Sequence, residues 1–346
     1  MVNPTSAAGP PDRGTLLLTR GDVERLLDLS ACIAAVEDGF RVLAQGLGPP
    51  PAVAGVHAAE GGFHIKAALR GAQPPNERGF FAAKVNANFP QNSQRLGLPT
   101  IQGVLVLFDA SCGAPLAVMD SIALTILRTA AASAVAARHL ARADASTATI
   151  IGCGAQAPAQ LAALCAVRSL KRGFAIDANV DAAARFARSA SEELGIDVSA
   201  ASDLERAARA SDIVVTCTTS RRAFLGARHL APGTFVAAVG ADNGEKQEIE
   251  PALMASCAVV TDSTEQCASI GDLHHALAAG VMTRTDVRAE LGEVILDPQR
   301  GRHDESEIVV FDSTGVAVQD VAAASLIYDR ALHEGIGATL DFGSTA

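Results

Sequence analysis

Gly152-Cys153-Gly154-Ala155-Gln156-Ala157 sets two glycines and a small third residue at the spacing GxGxxA, and Asp177 follows about 20 residues past the motif. The chemistry this pattern serves is pyrophosphate binding. Gly152 permits a tight turn, Gly154 lets main chain approach a phosphate, and Ala157 lets a helix pack closely on the preceding strand with its positive N-terminus at the anion. A carboxylate at Asp177 can accept hydrogen bonds from ribose hydroxyls and repel the additional phosphate of NADP, so NAD is the favoured cofactor. A basic pair, Arg221-Arg222, lies elsewhere in the same segment, and its direction is not legible from sequence. The bland alternative is an ordinary tight turn followed by a surface Asp. It has to place strand, glycines, helix and acid in register by accident.

Two other constellations carry less. His274-His275 suggest a metal, but neighbours on a helix point about 100° apart and no Cys or carboxylate completes a ligand set, so no metal is expected. The seven cysteines, at 32, 112, 153, 165, 217, 257 and 267, never form a CxxC pair. They read as reduced, structural thiols of a cytoplasmic protein.

The elements that position the glycine motif alternate regularly. A buried strand over 147–152 leads into a helix from 156 to about 169. Then come a strand over 173–178, a helix over 181–194, a weak strand near Val198, a helix over 204–210 and the strand IVVTC. TFVAAVG and CAVVTD add further strands. Such alternation predicts a parallel sheet with right-handed crossovers, and a Rossmann domain over 146–304. Upstream, Val23, Leu26, Leu27, Ile33, Val36 and Phe40 fall at helical spacing after a short apolar run. GGFHIKAAL, GFFAAKVNANF and GVLVLFDA then read as antiparallel strands separated by the turn-forming PPNERG and QNSQRLGLP. An Ala-rich stretch over 122–142 predicts a long helix. The closing EIVVFDSTGVAVQDVAAASLIYDRALHEG predicts a strand, a turn and a helix that packs back on the N-terminal half. The expected fold class is therefore α/β. It comprises a Rossmann doubly wound parallel-sheet domain and a discontinuous α+β substrate-binding and dimerisation domain over 15–145 and 305–346, with 1–14 a flexible tail.

Composition limits the function. At 346 residues, 49% hydrophobic and 19% charged, the chain can bury large cores, and its net charge of −10 with no dense Lys/Arg run argues against a nucleic-acid surface. Charges interrupt each apolar stretch before about 18 residues, so no membrane span is expected. The first residues lack the basic-then-apolar pattern of a signal peptide.

KVNANFP, GLPTIQG, PLAVMDSIALTILRTAAASAVAARHLA, IGCGAQA, VGADNGEKQEIEP and VVFDSTGVAVQD resemble the ornithine cyclodeaminase/µ-crystallin family, and the C-terminal two-thirds looks most like its archaeal alanine dehydrogenase branch. The similarity runs from Thr15 over nearly the whole chain. It implies a homodimer, with the active site between a Rossmann domain and a discontinuous domain. By the same resemblance Lys84 is the substrate-binding or proton-handling lysine, Asp242 the acid/base carboxylate, and Arg128 with Thr129 a ligand of the cofactor phosphates. Thr100, Ala155, Gln156, Asp177, Thr218, Val239, Gly240, Lys246 and Ser313 fall at cofactor positions with Gly152 and Gly154, and Thr314 at a substrate position.

The chemistry gives these types independent sense. Oxidising an amine to an imine removes a proton from nitrogen and a hydride from carbon, so a carboxylate near nitrogen and a cation near the substrate carboxylate or carbonyl are both useful. Asp242 and Lys84 would supply them. Read from local sequence alone, Lys84 is a solvated strand lysine and Asp242 a turn residue before Asn243-Gly244. One departure stands out: where the family usually has Met-Pro after His64, this chain has Lys66-Ala67, and where some members carry an Arg after the preceding Pro it reads Pro51-Ala52. Lys66 is expected to replace the missing cation and grip the substrate carboxylate, unless it is a solvated lysine on an edge strand. His64, placed opposite Lys84, is a further substrate contact. The implied function is NAD-dependent oxidation or reduction of a CH–NH bond in a small amino acid or imino acid, with an alanine-dehydrogenase-like or cyclic-imine-reductase outcome. The alternatives are ornithine cyclodeamination, or a non-catalytic binding protein of the µ-crystallin kind.

Overall fold

The computed structural model describes residues 14–72 and 78–342. Apart from Gly14, the expected tail lies outside the described residues, as does most of the PPNERG turn. Contacts divide the chain into two compact units, one of residues 1–35, 45–125 and 317–346, the other of 36–44 and 126–316.

The first unit is built on a seven-stranded sheet. Strand β1 (Thr15–Leu18) leads to helix α1 (Arg20–Leu26), whose start is fixed by reciprocal hydrogen bonds between Thr19 and Asp22. Helix α2 (Leu29–Ala44) follows, its residues 36–44 counted with the second unit, and then β2 (Ala52–Ala58), β3 (Gly61–Arg70), β4 (Phe80–Asn88), the short helix α3 (Asn92–Leu96), β5 (Ile101–Asp109) and β6 (Pro115–Asp120). Spatially the order is the C-terminal strand (Ala338–Leu340), β1, β6, β5, β4, β3, β2. All pairings are antiparallel except that of β1 with β6. Period-two burial marks the covered face: Phe80, Ala82 and Lys84 on β4, Leu105 and Leu107 on β5. The C-terminal helix (Ala317–Glu334) packs over β3 and β4.

The second unit is a doubly wound parallel sheet. Helix α4 (Ser121–Leu140) leads from the first unit into β7 (Thr147–Ile151), after which helices α5 (Ala157–Val167) and α6 (Val180–Leu194) alternate with β8 (Arg172–Ile176) and β9 (Asp197–Ala200). Next come β10 (Ile213–Thr216), β11 (Arg221–Leu225), β12 (Phe235–Ala238), β13 (Gln247–Ile249), β14 (Ala258–Thr261), β15 (Ala289–Glu290) and β16 (Val309–Asp312). Eight of these strands lie in the order β15, β14, β16, β12, β10, β7, β8, β9, every pair parallel, while β11 and β13 form a separate ribbon. Being covered on both faces, β10, β12, β14 and β16 are buried throughout and read as apolar runs. The order in which successive strands are added reverses between β7 and β10, the place where such sheets open a ligand crevice at their carboxyl ends.

Two expected boundaries are corrected: residues 36–44 and 126–145, expected in the discontinuous domain, fall in the parallel-sheet unit, and so does the strand after 304. The VVFD run, expected in the discontinuous domain that resumes at 305, forms β16, which sits between β12 and β14 inside the parallel sheet. Its four consecutive buried residues are what an interior parallel strand requires, so this unit extends to residue 316. The discontinuous unit resumes with the C-terminal helix.

Candidate functional site

The glycine turn sits at that reversal. Gly152 adopts φ +96°, and a Cβ there would lie 2.8 Å from the Cys217 carbonyl oxygen and 2.9 Å from Thr218 Cγ2. Only glycine fits, on both conformational and steric grounds. A Cβ at Gly154 would meet nothing within 4 Å, so this glycine leaves open space on the approach to the turn. Helix α5 begins just beyond, at Ala157, and its N-cap residue Gln156 makes no side-chain cap bond; the Ala157 N–H turns back to the Gly154 carbonyl at 3.2 Å and Pro158 has no N–H, so an anion is left to the main chain of the turn and the positive end of the helix. Asp177 Oδ2 accepts from the Cys153 N–H at 2.7 Å and Oδ1 from the Asn179 N–H at 2.7 Å. Each oxygen of a carboxylate can take a second donor, so Asp177 can shape the turn and still receive ribose hydroxyls. A cavity of about 540 Å³ opens here, lined by Gly152, Gly154, Asp177 and Thr218 with the apolar Leu204 and Phe224. Glycine turn, uncapped helix and carboxylate together fit a dinucleotide. Arg221, whose direction the sequence left open, lies beside Glu245 at 3.0 Å at the exposed start of β11.

Beneath the crevice four buried carboxylates brace the loops at the strand ends. Glu248 Oε1 accepts from the Thr218 N–H and hydroxyl at 2.7 and 2.6 Å, and Oε2 from the Thr216 hydroxyl and the Gly240 N–H at 2.6 and 2.9 Å. Burial pushes its carboxyl above the usual range in spite of those bonds. Asp272 accepts from the Glu248 and Ile249 N–H groups, and Asp312 from those of Asp272 and Leu273. Burial, reinforced by the charges of Asp312 and Glu248, holds Asp272 well above the ordinary carboxylate range. Burial together with the nearby Asp262 pushes Asp312 up to about 7. Asp262 accepts from the Ser313 and Thr314 hydroxyls and the Gly315 N–H at 3.0, 3.2 and 2.7 Å. Thr218, Gly240, Ser313 and Thr314, all expected at the site, are thereby held by acids on neighbouring strands and loops. Val239 extends β12, donating its N–H to the Thr216 carbonyl at 2.9 Å.

In the first unit Lys66 and Lys84 are direct cross-strand partners on β3 and β4, and both are buried, at 9% and 3% exposure. Lys84 Nζ donates to Asp320 Oδ1 at 2.8 Å and to the Thr125 hydroxyl at 3.3 Å. Two expectations change. His64 stands opposite Asn86 and Gly55, one pair removed from Lys84 on the same face, because Lys66 takes the position opposite Lys84. The alternative of Lys66 as a solvated edge-strand lysine fails as well: β3 is interior and β2 is the edge. Thr100, at the start of β5, accepts the Phe89 N–H on its carbonyl at 2.9 Å.

Asp242 and Lys246 lie in the loop after β12 and form an ion pair at 2.6 Å, with Asp242 half-exposed and the Lys246 carbonyl accepting from His275 Nε2 at 2.8 Å. His274 contacts the Ala268 carbonyl. Arg128 on α4 is buried, and Gly315 at φ +79° lies so close that a Cβ would come within 2.6 Å of the guanidinium. Thr129 is half-buried one position on. All seven cysteines are free, and burial pushes the thiols of Cys153 and Cys257 up to about 12.

The model of the ornithine cyclodeaminase/mu-crystallin family matches residues 13–335. The chain belongs to this family. Alanine dehydrogenase of Archaeoglobus fulgidus is 37% identical over 328 residues, 95% of this chain and 98% of the relative. Among solved structures, an archaeal alanine dehydrogenase dimer with bound NAD superposes with a TM-score of 0.89 at 36% identity, covering 95% of this chain and 99% of the other. The Δ(1)-pyrroline-2-carboxylate reductase of Thermococcus litoralis, solved with NADH and L-proline, gives 0.87 at 32%, covering 94% and 100%.

For a member of the ornithine cyclodeaminase/mu-crystallin family, the residues that sequence reasoning missed are the carboxylates under the site. Asp320 closes the motif VVFDSTGVAVQD, and no role for it follows from the motif. Its signal was available, since it is the one acid in the run VAVQDVAAAS, and acids are seldom buried without a partner. Glu248 and Asp262 carry no comparable local signal, because their roles depend on strand order.

Proposed function

We propose that this chain is an NAD-dependent oxidoreductase of the CH–NH bond in a small L-amino acid or its imine, working as a homodimer in the cytoplasm. The observation that carries the reading is the cradle at Gly152: a positive-φ glycine, open space at Gly154 and the Asp177 carboxylate around one cavity. Family membership supplies the reaction class, since relatives named above act as alanine dehydrogenase and pyrroline-2-carboxylate reductase and are solved with NAD or NADH.

Gly152, Gly154, Ala155 and Gln156 would hold the pyrophosphate, Asp177 the adenosine ribose, and Arg128 with Thr129 further phosphate oxygens. Thr218, Val239, Gly240, Lys246, Ser313 and Thr100 would line the rest of the dinucleotide. The nicotinamide, when bound, accepts or donates the hydride. Lys84 and Lys66 present ammonium groups to the substrate carboxylate or carbonyl, with His64 and Thr314 as further contacts. Asp242 takes the proton from nitrogen in the oxidative direction and returns it in the reductive one.

A dimer has a surface to use. On the sheet face opposite Lys84, Val56, Phe63 and Val104 are exposed, and β2 is exposed along its length. Seven free thiols suit a reducing compartment.

The test is a screen of NADH with pyruvate or glyoxylate plus ammonia or methylamine, and with Δ1-pyrroline-2-carboxylate, read by nicotinamide absorbance. NADH oxidation that depends on the amine or imine is the expected result. Ornithine consumption with ammonia release and no net change in NADH would replace this reading with cyclodeamination. Tight NADH binding without turnover of any of them would leave a binding protein.

A further inference from the structure

We propose that Asp320 is a positioning residue for Lys84, its buried carboxylate keeping the Lys84 amine in the ammonium form and fixing where that ammonium points. The inference rests on the role given to Lys84 above and adds a residue that reading does not contain.

The geometry carries it. Asp320 lies in the first turn of the C-terminal helix at 1% exposure, and its Oδ1 is 2.8 Å from Lys84 Nζ across 236 positions of sequence. Several groups among the described residues face Lys84. On β3 Lys66 stands directly opposite, with His64 two residues along. On β5 the opposite residue is Leu105, α4 contributes the Thr125 hydroxyl, and β4 itself places Asn86 on the same face. Cross-strand partners hold their Cβ atoms about 5 Å apart, so Lys66 is a like charge beside Lys84 in a buried setting. Burial and a neighbouring ammonium both favour losing a proton, whereas an adjacent carboxylate favours keeping it. Asp320 is the acid among these groups that supplies the opposing effect. It takes one Lys84 donor and Thr125 takes another, and these two bonds fix the direction of the ammonium group.

The experiment exploits the lysine content. The chain has four lysines, at 66, 84, 171 and 246, so Cε and Nζ resonances of lysine-labelled protein can be assigned by substitution, with the exposed Lys171 as an internal standard. In Asp320→Asn the Lys84 titration is expected to fall by at least about one pH unit, a tenfold change in proton affinity, with Lys171 unmoved. Asp320→Glu should restore most of that shift. The high-pH limb of kcat/KM for NADH-driven reduction of pyruvate with ammonia, or of Δ1-pyrroline-2-carboxylate, should move with it while KM for NADH holds. A Lys84 titration that stays in place in Asp320→Asn overturns the proposal, even if the variant is less stable. Should Asp320→Asn fail to fold, adding Lys84→Met is expected to rescue it by removing the stranded ammonium, and a double variant that still fails overturns the proposal. Full turnover in Lys84→Ala would sink the catalytic reading of Lys84 and leave the resonance result to decide Asp320 by itself.

Discussion

The cradle at Gly152 and the lysine cluster on β3 and β4 solve similar problems with opposite materials. The cradle meets a ligand with main chain: a positive-φ glycine, an uncapped helix start, and N–H groups aligned by Asp177. Almost everything it needs lies within 25 residues of one turn. The lysine cluster is made of side chains delivered by four elements, and its central contact spans 236 positions. A main-chain site tolerates changes of side-chain chemistry but not an added atom in the wrong place. A buried ion pair has the reverse sensitivity.

The largest effect should come from adding a side chain to the cradle. In Gly152→Val a β-branched residue must adopt φ +96° with its Cβ in contact with Cys217 and Thr218. Positive φ alone costs about 1–3 kcal/mol for such a residue. With the clash added, NADH affinity should fall by about 100-fold or more, at 1.4 kcal/mol for each factor of ten. Fluorescence titration measures it, and an affinity within about threefold of the parent would mean that the turn is not the ligand site.

Next in size is the first unit. Lys84→Ala takes the ammonium from the buried Asp320, and breaking one side of a buried pair costs about 3–5 kcal/mol. For a chain with units of this size that corresponds to a fall in Tm of roughly 10 °C. A Tm within about 2 °C of the parent would show that the pair is not tightly buried, and would remove the contrast drawn between the two regions.

The same difference explains what could be read in advance. The parallel-sheet alternation and the glycine motif are local patterns, and the strands and helices from β7 to β10 appear close to their expected bounds. Lys84 and Lys66 could be singled out, but their mutual pairing depends on antiparallel register, and a two-residue error put His64 in the place Lys66 occupies. Asp320, Glu248 and Asp262 act through contacts that no window of sequence contains. The boundary at 304 failed for a related reason. An apolar strand followed by a helix looks the same whether it closes one domain or completes another, and only its neighbours β12 and β14 decide.

The braces under the crevice make a smaller prediction, with a definite sign. Asp312 has a carboxyl raised from 3.8 to about 7 by burial and by nearby acids, so the folded chain binds this proton more tightly than the unfolded chain does. Where the folded state holds more protons, stability falls as pH rises, here from about 4 until it levels off above about 7. The slope for one such proton is at most about 1.4 kcal/mol per pH unit. Asp312→Asn cannot titrate, so its Tm should decline less than that of the parent between about pH 5 and about pH 7, inside the window between the two pKa values. Parallel curves for the two proteins would show that Asp312 is ionised throughout.

The smallest effect belongs to a side chain inside the cradle. Cys153 lies between the two glycines, and its main-chain N–H does the structural work by donating to Asp177. Its thiol makes a 3.5 Å contact to the Ile176 carbonyl and, with burial and Asp177 pushing its pKa up to about 12, is not a thiolate near neutral pH. Cys153→Ala keeps the N–H and the backbone and removes the sulfur alone, so NADH affinity should stay within about twofold, a few tenths of a kcal/mol. A loss of tenfold or more in the same titration would mean that the cradle reads its ligand through side chains too, and the distinction between the two regions would lose its physical basis.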